Sequence, residues 1–144
     1  MEWNSNLICQ KPIQQSAMNP EFSELEMQTV WNINGMEFQF DLSEADTAER
    51  YESGIQRIGN MDLPNPKDSL AAYIRAYCRQ FREFYNFMLG DGAGDQIFAT
   101  VKDSISAYNA VYKEFLAFIQ QQSESLSDEF RQMQRKYAPK GGKA

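Results

Sequence analysis

Three features of this chain invite a chemical reading: the run Gly90-Asp91-Gly92-Ala93-Gly94-Asp95, paired carboxylates such as Glu49 with Glu52, and the cysteines Cys9 and Cys78. A glycine-rich run cradles phosphates when it joins a strand to a helix, but this one follows a helical pattern and has the wrong glycine spacing. As a calcium loop it offers Asp91 and Asp95, yet Gln96 stands where the loop needs its glycine, and Lys102 stands where a bidentate Glu belongs. The run is expected to cap a helix and turn the chain, its glycines supplying positive φ. Glu49 and Glu52 fall on one helix face beside Arg50 and Arg57, as solvated charges and not as a tuned acid–base pair. The chain has no histidine, which removes the commonest general base, the usual triads and most zinc sites; two distant cysteines do not replace them. The expectation is a protein that is not an enzyme, with no catalytic, cofactor-binding or metal-binding residues and no cofactor.

The apolar pattern says more. Leu70, Ile74, Tyr77, Phe81, Phe84 and Met88 form one stripe on a helix that runs into the glycine run, with Tyr73, Tyr85, Phe87 and Leu89 beside it. Asn65, Pro66 and Asp68 supply a cap, a first-turn proline and a first-turn acid for that helix. Upstream, Asn34-Gly35 separates two alternating runs, the signal of a type I′ hairpin over residues 29–41. That register sets Ile33 opposite Met36 and Trp31 opposite Phe38, with Phe40 on the same apolar face, which must dock on helices or on another strand. Ser43 with Asp46 resembles a capping box opening a helix in which Ala48, Tyr51, Ile55 and Ile58 share a face, stopped by Gly59-Asn60. A last helix spans roughly Ser104 to Lys136. Its stripe is Ile105, Tyr108, Val111, Phe115, Phe118 and Gln122, followed after a polar interval by Leu126, Phe130, Met133 and Tyr137. Unbroken, it would be roughly 50 Å long, so either a break near Ser123 to Ser127 or a projecting C-terminal helix is expected.

The fold class is therefore mainly α with a small β-hairpin, an α+β fold in which the N-terminal hairpin precedes a three- to four-helix bundle. Residues 1–28 read as a loosely ordered extension, with Leu7 and Ile8 as an anchored patch and Met18 as an alternative start. Residues 29–137 read as one helical domain, and 138–144 as a flexible basic tail. At 144 residues, with 42% apolar and 13% aromatic side chains, the chain can bury a core without disulfides. Cys78, beside the central stripe, is expected as a buried free thiol. The net charge of −6 argues against nucleic acid as a partner. No apolar run is long enough for a membrane span and no signal peptide is evident, so an intracellular location is expected.

The succession NINGMEFQFDLSEADTAERYE, RAYCRQFREFYNFMLGDGAGDQIF, YNAVYKEFLAFI and RKYAPK resembles a family of small, mostly uncharacterised proteins encoded by phages and prophages of Gram-positive bacteria. The resemblance covers roughly residues 29–140. The layout is also similar to that of phage tail assembly chaperones, helical proteins that coat the tape measure protein during tail assembly and are absent from the finished virion. This resemblance implies a morphogenesis factor in the cytoplasm of the bacterial host that binds apolar helical segments of a tape measure protein, with a second copy of the chain as a further partner. The alternatives are a structural tail or connector component, or a small adaptor for a host protein. The candidate partner-binding residues are Tyr85, Phe87, Phe118, Ile119, Phe130 and Met133. Among them, Tyr85 and Phe87 are expected at the uncovered edge of the central stripe.

Overall fold

A tight turn between two alternating runs forms the first element of the described residues. In the computed structural model, which describes residues 27–137, strand β1 (Val30–Ile33) pairs antiparallel with β2 (Met36–Gln39). Asn34 and Gly35 have φ of 51° and 79°, the positive values that a type I′ turn demands. The register is the expected one, with Ile33 opposite Met36 and Trp31 opposite Phe38. The apolar face docks on helices: Trp31, Ile33 and Phe40 are buried, and Met36 and Phe38 pack at the margin of the core. The expected extension up to residue 26, including Leu7, Ile8, Cys9 and Met18, and the tail from 138 onward lie outside the described residues.

Helices α1 (Ala45–Gly59), α2 (Leu70–Leu89), α3 (Ala93–Ile97) and α4 (Ile105–Tyr137) follow. Among the described residues the chain is mainly helical with one two-stranded hairpin, as expected for an α+β fold. Residues Gln28–Glu124 form one compact unit, and Ser125–Tyr137 belong to a second. In the first unit the core is an aromatic cluster. Trp31 meets Phe115 edge-on at 5.1 Å, Phe84 meets Tyr85 edge-on at 5.0 Å, and Phe98 stacks on Tyr108 at 3.8 Å. Such pairs contribute about 0.5–1.5 kcal/mol each beyond the burial of their area. Cys78 is a buried free thiol whose pKa burial pushes up, so it behaves as a small apolar residue.

Two helix starts differ from the sequence expectation. Asp41 accepts hydrogen bonds from both the backbone N–H (2.9 Å) and the hydroxyl (2.6 Å) of Ser43. Ser43 is thus held in a turn before the helix, and α1 starts after Glu44 with no side-chain cap. Likewise Asn65 caps only a local turn, its side chain accepting from Lys67 N–H at 2.9 Å. Ser69, in an extended conformation, then caps α2 by accepting from Ala72 N–H at 3.1 Å. Starting α2 at Leu70 leaves that residue 61% exposed, so the buried stripe begins at Ile74 and not at Leu70.

The glycine run does what its backbone alone can do. Gly90 ends α2 and Gly92 starts α3, with φ of 122° and 83°. Gly94 serves packing instead of turning. A Cβ there would lie 2.0 Å from the carbonyl oxygen of Arg82, so α3 crosses α2 at backbone contact. Asn86 fixes the crossing by accepting from Gly94 N–H at 2.6 Å. The Arg82 guanidinium in turn donates to Asp103 (2.9 Å) and to the Tyr108 hydroxyl (2.8 Å), linking α2 to the start of α4. Burial works against the Arg82 charge, but these two hydrogen bonds outweigh it and hold its pKa above the ordinary value.

Helix α4 has no break. Of the two alternatives expected, the one with an interruption near Ser123 to Ser127 is not found, because Gln120, Gln121, Gln122 and Glu124 are adequate helix formers with no glycine or proline among them. Gln120 also reaches Glu124 one turn later at 3.3 Å. Within this polar interval Gln122 is wholly buried. Its amide donates to the carbonyls of Gln28 (2.7 Å) and Phe40 (2.6 Å), while its oxygen accepts from Leu42 N–H (2.9 Å).

Replacing Gln122 by Leu roughly keeps the size but leaves the buried Phe40 carbonyl unpaired and breaks the partly buried bonds to the Gln28 carbonyl and the Leu42 N–H, so a loss of about 2–4 kcal/mol is expected in urea unfolding. Gly94→Ala is expected to cost more than about 3 kcal/mol or to abolish cooperative unfolding. Gly59→Ala, where an added Cβ meets nothing within 4 Å, is expected to be neutral or to stabilise by up to about 1 kcal/mol in the same measurement.

Candidate interaction surfaces

The sequence pattern yields six candidate partner-binding residues, and the fold sorts them into three groups. Tyr85, Phe118 and Ile119 are buried in the aromatic core. The pattern places Tyr85 at an uncovered edge, but it is fully enclosed: Trp31 stacks over it at 5.9 Å, and Phe98 and Phe115 pack against it at 5.8 and 5.7 Å. The docked hairpin and the α2–α3 crossing close over the side of α2 that its own periodicity leaves open. Burial raises the Tyr85 pKa, and its hydroxyl has no hydrogen-bond partner among the described residues. Phe87 is half-buried, with the Arg57 guanidinium 4.0 Å above its ring. Phe130 and Met133 are 61% and 55% exposed, and Tyr137 on the same face of α4 is 65% exposed.

The Arg57–Phe87 contact marks the edge of a feature that the sequence does not advertise. An open groove of about 690 Å³ runs between the C-terminal half of α1, the loop after it, and the middle of α2. Its apolar lining is Ile58, Met61 and Phe84; Gln56, Arg57, Glu83 and Asp62 are among its polar residues. Three local contacts fix the elements that wall it. Gly54 lets α1 approach α2 closely, since an added Cβ would lie 2.6 Å from the Met88 sulfur. Arg50 donates to the Met88 carbonyl at 3.0 Å, clamping the C-terminal end of α2 to α1. Gln80 donates to the Asp62 carbonyl at 2.9 Å, tying the loop to α2. The only sequence signal for the groove is Met61, an apolar residue placed just past the helix-terminating Gly59-Asn60.

Among the described residues, those that invited a chemical reading form no common site. Glu49 and Glu52 are exposed on α1, and Asp91 and Asp95 flank the glycine turn. Arg82, Asp95 and Asp103 are neighbours, but Arg82 is spent on its hydrogen bonds to Asp103 and Tyr108, with Asp95 at 4.0 Å. Among the described residues no group of three or more acidic or cysteine side chains could hold a metal ion, and no helix is long and apolar enough to cross a membrane.

No curated protein and no solved structure matches this chain. Residues 34–143, from the hairpin turn through all four helices, match the family of unknown function DUF6673, and the chain belongs to that family.

Proposed function

We propose that the protein is a non-enzymatic phage morphogenesis factor, similar to tail assembly chaperones, that works in the cytoplasm of the bacterial host. It binds apolar helical segments of a tape measure protein. The observation that carries this reading is the α1–α2 groove, whose apolar lining of Ile58, Met61 and Phe84 lies among polar side chains. An amphipathic helix laid in such a groove buries its apolar face against Ile58 and Met61, over a floor that the core residue Phe84 supports, and keeps its polar face toward Arg57, Glu83 and solvent. Phe87, under Arg57, extends the apolar surface, and Phe130 and Met133 on α4 supply a second exposed patch. Tyr85, Phe118 and Ile119 contribute from inside the core by setting the positions of α2 and α4. The resemblance to phage-encoded proteins supplies the identity of the partner, and the groove supplies the chemistry.

Co-expression with the tape measure protein of the same phage genome is expected to keep that protein soluble and to yield a co-purifying complex. Met61→Glu, which sets a charge on the groove lining, is expected to weaken co-purification by about tenfold or more while leaving the melting temperature within a few degrees. No complex and no change in solubility would rule the reading out. Recovery of the protein at stoichiometric amount in purified particles would favour a structural tail component instead.

A further inference from the structure

Past Gln122, the large apolar residues of α4 stop being part of a closed core. Leu126, Phe130, Met133 and Tyr137 recur at spacings of four, three and four, the a/d pattern of a coiled-coil seam. Phe130, Met133 and Tyr137 are each more than half exposed, and every residue from Ser127 to Tyr137 is exposed. Such a seam on a helix calls for another helix, and the flanking charges specify which one.

With Leu126 and Met133 at d, and Phe130 and Tyr137 at a, Glu129 and Lys136 occupy the g positions, and Ser127 and Gln134 the e positions. The apolar set is symmetric about a point between Arg131 and Gln132. If two copies run antiparallel through that point, Phe130 layers against Met133 of the second copy, and Leu126 against its Tyr137. Antiparallel helices place g beside g and e beside e. Glu129 therefore meets Lys136 of the second copy, the two-fold axis repeats the pair, and Ser127 meets Gln134 without charge. A parallel pair would set Glu129 beside Gln134 and form no charge pair across the seam. Contacts within the helix do not compete: Arg131 is already bonded to Asp128, and the Lys136 ammonium lies 5.6 Å over the Tyr137 ring, free to turn.

We propose that Leu126–Tyr137 is a self-pairing helix that joins two copies of this chain antiparallel, with Glu129 and Lys136 selecting the orientation. The inference does not depend on what the α1–α2 groove binds, but it assigns Phe130 and Met133 to a second copy of the chain in place of the tape measure segment. A seam of roughly 18 Å lies at the small end of specific interfaces, so the dimer is expected to exchange with monomer within the concentration range of sedimentation equilibrium.

The test is sedimentation equilibrium of the full chain alone. Wild type is expected to show a monomer–dimer equilibrium. Glu129→Lys and Lys136→Glu, both surface changes, are each expected to weaken it by about tenfold or more, because each sets two like-charged pairs across the seam. Mixing the two variants is expected to restore a one-to-one mixed dimer near wild-type strength, since every cross-seam pair is then opposite in charge. Phe130→Glu is expected to leave only monomer. A full chain that is monomeric at all concentrations overturns the proposal, as it would if the N-terminal residues of the same chain or a helix of another protein occupied the seam. A dimer indifferent to all three substitutions overturns it as well.

Discussion

A two-stranded hairpin has no neighbouring strand to absorb its polar ends, and on its own it is marginal in water. Here one buried side chain meets that constraint. Gln122 takes the carbonyls of Gln28 and Phe40, which flank the two strands, and the N–H of Leu42, where the chain turns toward α1. With those groups paired, Trp31, Ile33 and Phe40 can press onto α2 and α4 without stranding backbone polar groups in the core. An apolar side chain at this position would orphan the buried Phe40 carbonyl and cut the ties to Gln28 and Leu42, so the amide is what lets the hairpin act as a lid over Tyr85 and Phe115.

The second constraint is the reversal between α2 and α4, carried out in very little chain. Gly90 and Gly92 turn the backbone, and the absence of a side chain at Gly94 lets α3 lie directly against the Arg82 carbonyl. The same Arg82 holds the start of α4 through Asp103 and Tyr108. Asn34, at the tip of the hairpin, donates to the Ile97 carbonyl at 3.0 Å, so the end of α3 is also fastened to the hairpin turn. The glycine run that invites a phosphate or calcium reading is thus fully used by helix geometry. Its spacing answers to the crossing of two helices.

Much of the fold can be read in the sequence because it rests on local rules. The hairpin register follows from Asn34-Gly35, and the buried positions of α4 up to Gln122 and those of α2 other than Tyr85 follow from their spacing, which also places the exposed Leu70 on the stripe; even Gln122 falls on the stripe by position, although its polarity disguises it. The helix starts are harder, because Ser43 and Asn65 have side chains suited to capping but are captured by nearer partners, Asp41 and Lys67. The groove leaves only Met61 as a trace in the sequence. It depends on Gly54 admitting Met88, and on Arg50 and Gln80 reaching across to another element, and none of these has a periodic signature.

The same limit explains why the candidate binding residues divide as they do. Tyr85 and Phe130 are both aromatic residues at the apolar positions of amphipathic helices, and periodicity treats them alike. What separates them is the number of other elements that reach each position. Tyr85 lies where the hairpin, α3 and α4 converge on α2, so every direction around its ring is taken. Phe130 lies on a stretch of α4 where the whole circumference is exposed. An apolar stripe is a demand for a partner, and periodicity records the demand without saying whether the chain itself supplies it. Charge carries the missing information. Core stripes are flanked by whatever their neighbours tolerate, whereas Glu129 and Lys136 flank Phe130 and Met133 in an order that only one orientation of a like helix satisfies.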